Sequence, residues 1–316
     1  MAKGTTGRFA PSPSGRMHLG NLFSSLLAWL SAKSQGGRMV LRIEDLDAQR
    51  CTRTYAERVE ADYRALGLFW DEGGRSGGPD GPYYQSRRNE QYAAALERLR
   101  QKGLVYPCFC TRAQLHAASA PHRDDGQTIY PGTCRDLTAD EIAARSAARA
   151  PALRLRVPDR EIGFLDGNLG WYAENLERDC GDFLLRRSDG LWAYQLAVVV
   201  DDAAMGITQV VRGSDLLSST PRQLYLYNLL GLTPPEFYHV PLLLAPDGRR
   251  LSKRDGDLSL DALLERSTPQ AMIGGLAYLA GLNPGAEPRS PESLLPEFDW
   301  EKVPKTDIYV PDGLFF

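Results

Sequence analysis

Near its N-terminus the chain runs RFAPSPSGRMHLGNLFSSLLAWLSAKSQGGRMVL, residues 8–41, and this order limits the fold more than any other feature. A short apolar strand in TGRFAPS meets a turn of prolines, serines and glycine. Residues 19–35 then carry Leu22, Phe23, Leu26, Leu27 and Leu30 at helical spacing, and Gly36-Gly37 stops the helix. RMVLRIEDLD follows as a buried strand ending in acids, and TYAERVEADYRALGL as a second amphipathic helix. A β-α-β-α order of this kind argues for a parallel sheet with right-handed crossovers, the helices serving as the connections that parallel strands require.

The remaining segments extend the pattern. DEGGRSGGPDGP, residues 71–82, is a polar loop, and QSRRNEQYAAALERLRQKG a helix beyond it. From Tyr106 to about Arg187 short β-like pieces such as ALRLRVP and DFLLRRSDGLWAY replace the alternation, which predicts an insertion. The sheet is predicted to resume in LAVVVDDAAMGITQVVRGSDLL, followed by the helix STPRQLYLYNLLG. After HVPLLLAPDGRRLSKRDGD come two short helices and a Pro-rich tail. The expected division is residues 1–105 and 188–235 as two halves of one α/β domain, 106–187 as the insertion, and 236–316 as a basic loop with a C-terminal helical segment.

Composition sets the class of partner. The 316 residues hold 37 Lys+Arg against 40 Asp+Glu, a formal net charge of -3, so a nucleic acid would have to be met by local basic patches. Arg186-Arg187 and Arg249-Arg250 are such patches, although pairs like these are commonly solvated surface. No apolar run reaches the roughly 18 residues of a membrane span, and MAKGTTGRF lacks the apolar stretch of a secretory signal, which predicts a cytoplasmic protein.

Three groups of residues carry chemistry. A strand turning sharply into a helix presents free backbone N–H groups and the positive end of the helix dipole, a site suited to phosphate. His18 stands there, able to donate to a phosphate oxygen, and Gly20 leaves room for a nucleotide. GRRLSKRDGD places Lys253 on a glycine-flanked loop, where an ammonium can close over developing phosphate charge. The third group is cysteine-based. Cys108 and Cys110 form a Cys-x-Cys pair, and after 19 intervening residues come Tyr130 and then Cys134. Three thiolates suit tetrahedral zinc with one further ligand, for which Tyr130, His116 and His122 are candidates; the competing reading is three buried thiols. Cys51 and Cys180 have no nearby partner in sequence and read as structural.

HLGN after PSPSG, paired with a late LSK loop, resembles the HIGH and KMSKS signatures of class I aminoacyl-tRNA synthetases, and RFAPSPSG with RIEDLD resembles their glutamyl/glutaminyl branch. The resemblance runs from Arg8 to about Asp257 and implies a Rossmann-like catalytic domain, with ATP and Mg2+ used to activate L-glutamate. It implies that Arg8, Ser12, Glu44, Tyr194 and Arg212 hold glutamate, that His18, Gly20, Asn21 and Lys253 hold ATP, and that His18 and Lys253 are catalytic. The chemistry agrees: the two carboxylates need fixed cations, which Arg8 and Arg212 supply, and the ammonium needs an anion, which Glu44 supplies. Arg8 and Glu44 could otherwise be a surface ion pair, and Tyr194 a core aromatic. Asn21 replaces the last histidine of HIGH, and Arg250 the first lysine of KMSKS. Only 62 residues follow Arg254, too few for the helical anticodon-binding region of glutamyl enzymes. The chain thus resembles the short members that attach glutamate to queuosine in the anticodon loop of tRNA(Asp), whose pattern of Cys-x-Cys, then Tyr-x-x-x-Cys, implies zinc on Cys108, Cys110, Tyr130 and Cys134. The alternatives are a truncated enzyme charging the tRNA 3′ end and a non-catalytic tRNA-binding paralogue. The expected working form is a monomer.

Overall fold

The structure, a computed structural model, describes residues 4–117, 129–249 and 260–315, except for the side chains of Arg112, His116 and Ala117. The chain begins with β1 (Thr6–Phe9), α1 (Leu19–Lys33), β2 (Arg38–Leu41), α2 (Arg53–Ala65) and β3 (Glu72–Gly73), followed by α3 (Asn89–Gln101). β1, β2 and β3 form a parallel ladder in that order, with Thr6 opposite Arg38 and Val40 opposite Glu72. The predicted helix over 19–35 thus ends two residues early, at Lys33, and the chain turns back through Gly36 (φ +65°) and Gly37.

The insertion follows. It comprises β4 (Val105–Cys108), α4 (Arg112–Ala117), α5 (Ala139–Ala148), β5 (Ala152–Leu155), β6 (Glu161–Asp166), β7 (Gly170–Asn175) and β8 (Phe183–Arg186). β4, β5 and β8 pair antiparallel, and β6 with β7 makes a separate hairpin.

One expectation needs correction where the main domain resumes. LAVVVDDAA is not strand: it lies in α6 (Tyr194–Ala204), and only the later part of that stretch is β9 (Gln209–Gly213). The Val198–Val200 run favours strands by propensity. Tertiary packing overrides it, because the apolar face of α6 fills a core shared with α3, α7 (Thr220–Leu230) and the underside of the sheet. β10 (Glu236–Val240) pairs parallel with β9, and β9 runs beside β1, where Thr208 N–H donates to Thr6 O at 3.0 Å. After β11 (Leu243–Leu244) and the undescribed residues 250–259, the chain forms α8 (Leu260–Leu264), α9 (Pro269–Leu279), α10 (Pro291–Leu294) and β12 (Ile308–Tyr309), which pairs with β11.

Strand pleating divides the interior into two cores. Met39, Leu41, Val211 and Val240 face α1, α2 and α9, whereas Val40, Val210 and Phe237 face α3, α6 and α7. Helices on both faces of a parallel sheet define a doubly wound α/β fold, with order β3-β2-β1 continuing into β9-β10. The sense of winding reverses between β1 and β9. A ligand crevice is therefore expected at their carboxyl ends, Phe9 and Gly213. No helix among the described residues is long and apolar enough to cross a membrane.

Gly37 is required by space. A Cβ there would lie 2.4 Å from Thr5 O and 2.8 Å from Ala32 O, both backbone atoms that cannot swing aside. Gly37→Ala should therefore destabilise the protein by about 1–3 kcal/mol; an unchanged denaturation midpoint would show that the α1–β2 turn opens freely.

Candidate active site

A cleft of about 520 Å³ opens at the carboxyl ends of β1 and β9. It is lined by Arg8, Ser12, His18, Gly20, Asn21, Glu44, Tyr194 and Arg212, so every described residue expected to hold glutamate or ATP comes to one place. Lys253, Arg250 and His122 lie outside the described residues, as does the side chain of His116.

At the cleft's entrance His18 is the N-cap of α1, with extended backbone (φ -110°, ψ 167°). The Asn21 side-chain oxygen accepts from the His18 backbone N–H at 3.4 Å, so the residue that departs from the HIGH pattern secures the cap. Around Gly20, a Cβ would meet within 4 Å only the His18 ring, at 3.4 Å, leaving the first helical turn open to a ligand.

Glu44 and Arg8 are not a surface ion pair. They belong to a buried cluster whose hub is Arg42, fully shielded from solvent. Arg42 pairs with Glu44 (3.0 Å), with Asp202 and, at 3.9 Å, with Asp201; Arg8 lies 3.7 Å from Asp202, and Arg88 lies 2.6 Å from Asp201. Gln85 and Tyr92 both donate to Asp201 at 2.8 Å. Burial pushes the Glu44 carboxyl up, opposed by Arg42 and Arg8. Burial alone would lower Arg42, but Asp202, Glu44 and Asp201 outweigh it and hold the guanidinium firmly charged.

Arg212 is in a different situation. Its guanidinium donates to His239 Nε2 (3.0 Å), Thr220 Oγ1 (2.7 Å), Leu216 O (3.4 Å) and Tyr194 Oη (3.5 Å). Each of these acceptors is neutral, and among the described residues no carboxylate pairs with it. Burial lowers the Arg212 pKa, and the positive charge of Arg8 adds to that, with Tyr194 and Asp202 opposing. A buried cation without a counter-ion is costly, and an incoming carboxylate relieves the cost.

Reading the sequence missed Arg42, Arg88, Asp201, Asp202, Asp166 and His239. A usable signal existed for some: Arg42 and the Asp201-Asp202 pair adjoin apolar runs without an intervening turn residue, so they had to be buried and hence paired.

In the insertion, the sulfurs of Cys108, Cys110 and Cys134 lie within 4.8 Å of one another, a group that could hold a metal ion. Cys110 Sγ is 3.6 Å from Cys134 Sγ, and Tyr130 Oη is 3.5 Å from Cys108 Sγ and 3.9 Å from Cys110 Sγ. The Arg154 guanidinium covers the Tyr130 ring at 3.7 Å. All five cysteines are free of disulfides. Of the basic patches, Arg187 pairs with Asp189, Arg186 lies over Trp192 at 4.9 Å, and Arg249 pairs with Asp247 at 2.8 Å.

The fold agrees with comparison to known proteins. Residues 5–289 match the family described as tRNA synthetases class I (E and Q), catalytic domain. The chain is 52% identical over 310 residues to the glutamyl-Q tRNA(Asp) synthetase of Symbiobacterium thermophilum, covering 96% of this chain and 95% of that protein. It is also 52% identical over 308 residues to the protein of the same name from Nitratidesulfovibrio vulgaris. A glutamate tRNA ligase from Elizabethkingia meningosepticum, solved in complex with its amino acid, superposes with a TM-score of 0.84 at 30% identity, covering 99% of this chain and 68% of that one. The chain belongs to the class I tRNA synthetases of the glutamyl and glutaminyl branch.

The hub of the charge cluster is testable. Arg42→Met leaves Glu44, Asp201 and Asp202 buried with too few cations and should cost about 3–5 kcal/mol. Arg53→Met, which removes an exposed pair with Glu57, should cost no more than about 0.5 kcal/mol. Urea denaturation measures both, and equal losses would show that the cluster is not strongly coupled.

Proposed function

We propose that the protein activates L-glutamate with ATP and transfers the glutamyl group to queuosine in the anticodon loop of tRNA(Asp). The observation that carries the reading is Arg212, a buried cation held only by neutral groups, in the same cleft as buried Glu44 and the open end of α1. The names borne by relatives matched over 95% of their length support the choice of acceptor.

In this reading the glutamate side-chain carboxylate meets Arg212, with Tyr194 beside it. Glu44 takes the substrate ammonium, whose charge offsets the burial that raises the Glu44 carboxyl. Arg8 and Ser12 orient the α-carboxylate. One of its oxygens attacks the α-phosphorus of ATP, the bond to the bridging oxygen breaks, and pyrophosphate leaves. His18, the α1 N-terminus, Gly20 and Asn21 line the phosphate path, and Lys253 is assigned the ammonium that stabilises charge on the phosphate. They hold the reactants in line and stabilise charge on the phosphate; little proton transfer is needed. ATP is used by this class with Mg2+, which neutralises phosphate charge. A hydroxyl of the queuosine cyclopentene ring then attacks the glutamyl carbonyl, and AMP departs. A monomer is retained as the proposed working form, and ATP with tRNA as substrates supports a cytoplasmic location. The residue ranges 1–105, 106–187, 188–235 and 236–316 are retained as functional divisions.

Zinc is assigned to Cys108, Cys110, Cys134 and Tyr130 as a structural ion. A regular tetrahedron with Zn–S near 2.3 Å and Zn–O near 2.0 Å separates sulfurs by about 3.8 Å and oxygen from sulfur by about 3.5 Å. Cys110–Cys134 at 3.6 Å and Tyr130–Cys108 at 3.5 Å lie close to those figures, whereas Tyr130–Cys110 at 3.9 Å is longer. Burial and the hydrogen bond to Cys108 push the Tyr130 hydroxyl well up, so a phenolate ligand would depend on the charge of the metal itself; the Arg154 guanidinium lies over the ring at 3.7 Å.

Three experiments test these assignments. Pyrophosphate should exchange into ATP with glutamate but not with glutamine, since a neutral amide leaves Arg212 uncompensated. Labelled glutamate should transfer to tRNA from queuosine-producing cells and not to tRNA from cells unable to insert it. Label released with the 3′-terminal adenosine would instead identify an enzyme charging the acceptor end. For the metal, elemental analysis should find about one zinc per chain, and Cys134→Ser should lower both zinc content and thermal midpoint. Folded protein purified without chelator and free of zinc would leave the three buried thiols as the reading.

A further inference from the structure

Behind Arg212 lies a second layer of buried polar groups that the proposed chemistry does not use. His239, at the end of β10, is wholly inaccessible, and Asp166, at the end of β6 in the insertion hairpin, is 2% exposed. Their side chains meet at 2.6 Å between His239 Nδ1 and Asp166 Oδ2. The opposite ring nitrogen, Nε2, accepts from Arg212 Nε–H at 3.0 Å and lies 3.3 Å from the Thr220 hydroxyl, which itself accepts from Arg212 at 2.7 Å.

This arrangement permits only one state of the ring. Arginine is always a donor, so Nε2 must present a lone pair, and the single proton must sit on Nδ1, donated to Asp166. Asp166 enforces that choice because its surroundings consist of donors. Oδ1 accepts from the backbone N–H of Asn168 (3.0 Å), Leu169 (2.9 Å) and His239 (3.1 Å), and Oδ2 accepts from the His239 backbone and ring. A carboxylate satisfies all of them. An amide cannot: turned one way its NH2 faces two loop N–H groups, turned the other it donates to Nδ1 and moves the imidazole proton to Nε2, against the Arg212 N–H.

Resting on the reading that Arg212 receives the substrate's side-chain carboxylate, we infer that Asp166 and His239 are positioning residues for glutamate. They fix the imidazole tautomer, and the imidazole fixes the plane of the Arg212 guanidinium while keeping its partner uncharged. A carboxylate partner in place of His239 would neutralise Arg212 and abolish its demand for the substrate anion. A neutral acceptor orients the cation and leaves its charge unspent. The hairpin of the insertion thus contributes directly to amino-acid selection in the main domain. Gly167 helps seat it, since a Cβ there would lie 2.0 Å from the Tyr238 ring, and its N–H donates to Phe237 O at 2.8 Å.

The test is steady-state pyrophosphate exchange by the full chain, with KM for glutamate and for ATP measured separately. His239→Leu removes the acceptor and should raise the glutamate KM by on the order of 10-fold to 100-fold, with ATP KM and kcat within about threefold of wild type. His239→Gln can place its amide oxygen toward Arg212 and should recover most of the loss. Asp166→Asn, which keeps the volume, should raise the glutamate KM at least about tenfold; this variant carries the test if His239→Leu does not fold. An unchanged glutamate KM in Asp166→Asn or folded His239→Leu overturns the inference, as does a His239→Gln protein no better than His239→Leu, or a parallel rise in both KM values that marks general damage. Wild-type protein that shows no glutamate-dependent exchange overturns the functional reading itself, independently of any variant.

Discussion

The floor of the cleft depends on the ion cluster around Arg42. Arg8, Arg42 and Arg88 face Glu44, Asp201 and Asp202, and all six are nearly or wholly inaccessible. Taking this many charges out of water costs several kcal/mol each, and only close pairing with satisfied hydrogen bonds offsets it. The result is rigidity where the site needs it: Glu44 and Arg8 cannot change rotamer without breaking the balance. The cluster is also close to electroneutral in itself, so it lends little negative charge to Arg212. That separation lets one cation remain available to a ligand in a site crowded with acids.

The fold explains why these groups meet. Helices on the two faces of the parallel sheet close both sides of it, and the reversal of winding between β1 and β9 leaves a gap at their carboxyl ends. Arg8 enters the gap from β1 and Arg212 from β9; Glu44 follows the end of β2, and Tyr194 opens α6. Backbone contacts tie the later parts of the chain to the same edge. Leu260 N–H donates to Met17 O at 3.2 Å, just ahead of His18, and β12 pairs with β11 beyond the cleft's Pro241–Leu243 rim.

The insertion is anchored in two places. Its Leu155, Val157, Leu176, Phe183 and Leu185 join the core under the main sheet, while Tyr106, Cys108, Phe109, Tyr130 and Cys134 form a small apolar cluster of their own. Asp182 supplements it by accepting from the Tyr106 hydroxyl, from Arg135 and from Val157 N–H, and these bonds hold its carboxyl below the usual range despite burial, which acts the other way. The cysteine cluster includes Cys108 at the end of β4, and the hairpin carrying Asp166 packs against β10.

By itself the sequence determined most of the local elements and pointed to many of the residues proposed to bear the chemistry. The spacing of Leu22 to Leu30, the Gly36-Gly37 stop, His18 at a helix entrance and the cysteine spacing are local patterns, set by backbone geometry within a few residues. The family resemblance added Arg8, Glu44, Tyr194 and Arg212 one position at a time. The tertiary structure alone decided that Val198–Val200 is helical, because the buried face between α3 and α7 outweighs β propensity. It alone decided that Glu44 pairs with Arg42 rather than with Arg8, and that Asp166 reaches His239 across 73 residues of chain. Pairings of this kind depend on which strands become neighbours and which carboxylates are left over after others are paired. That balance is a property of the whole buried charge set, and no single segment of sequence contains it.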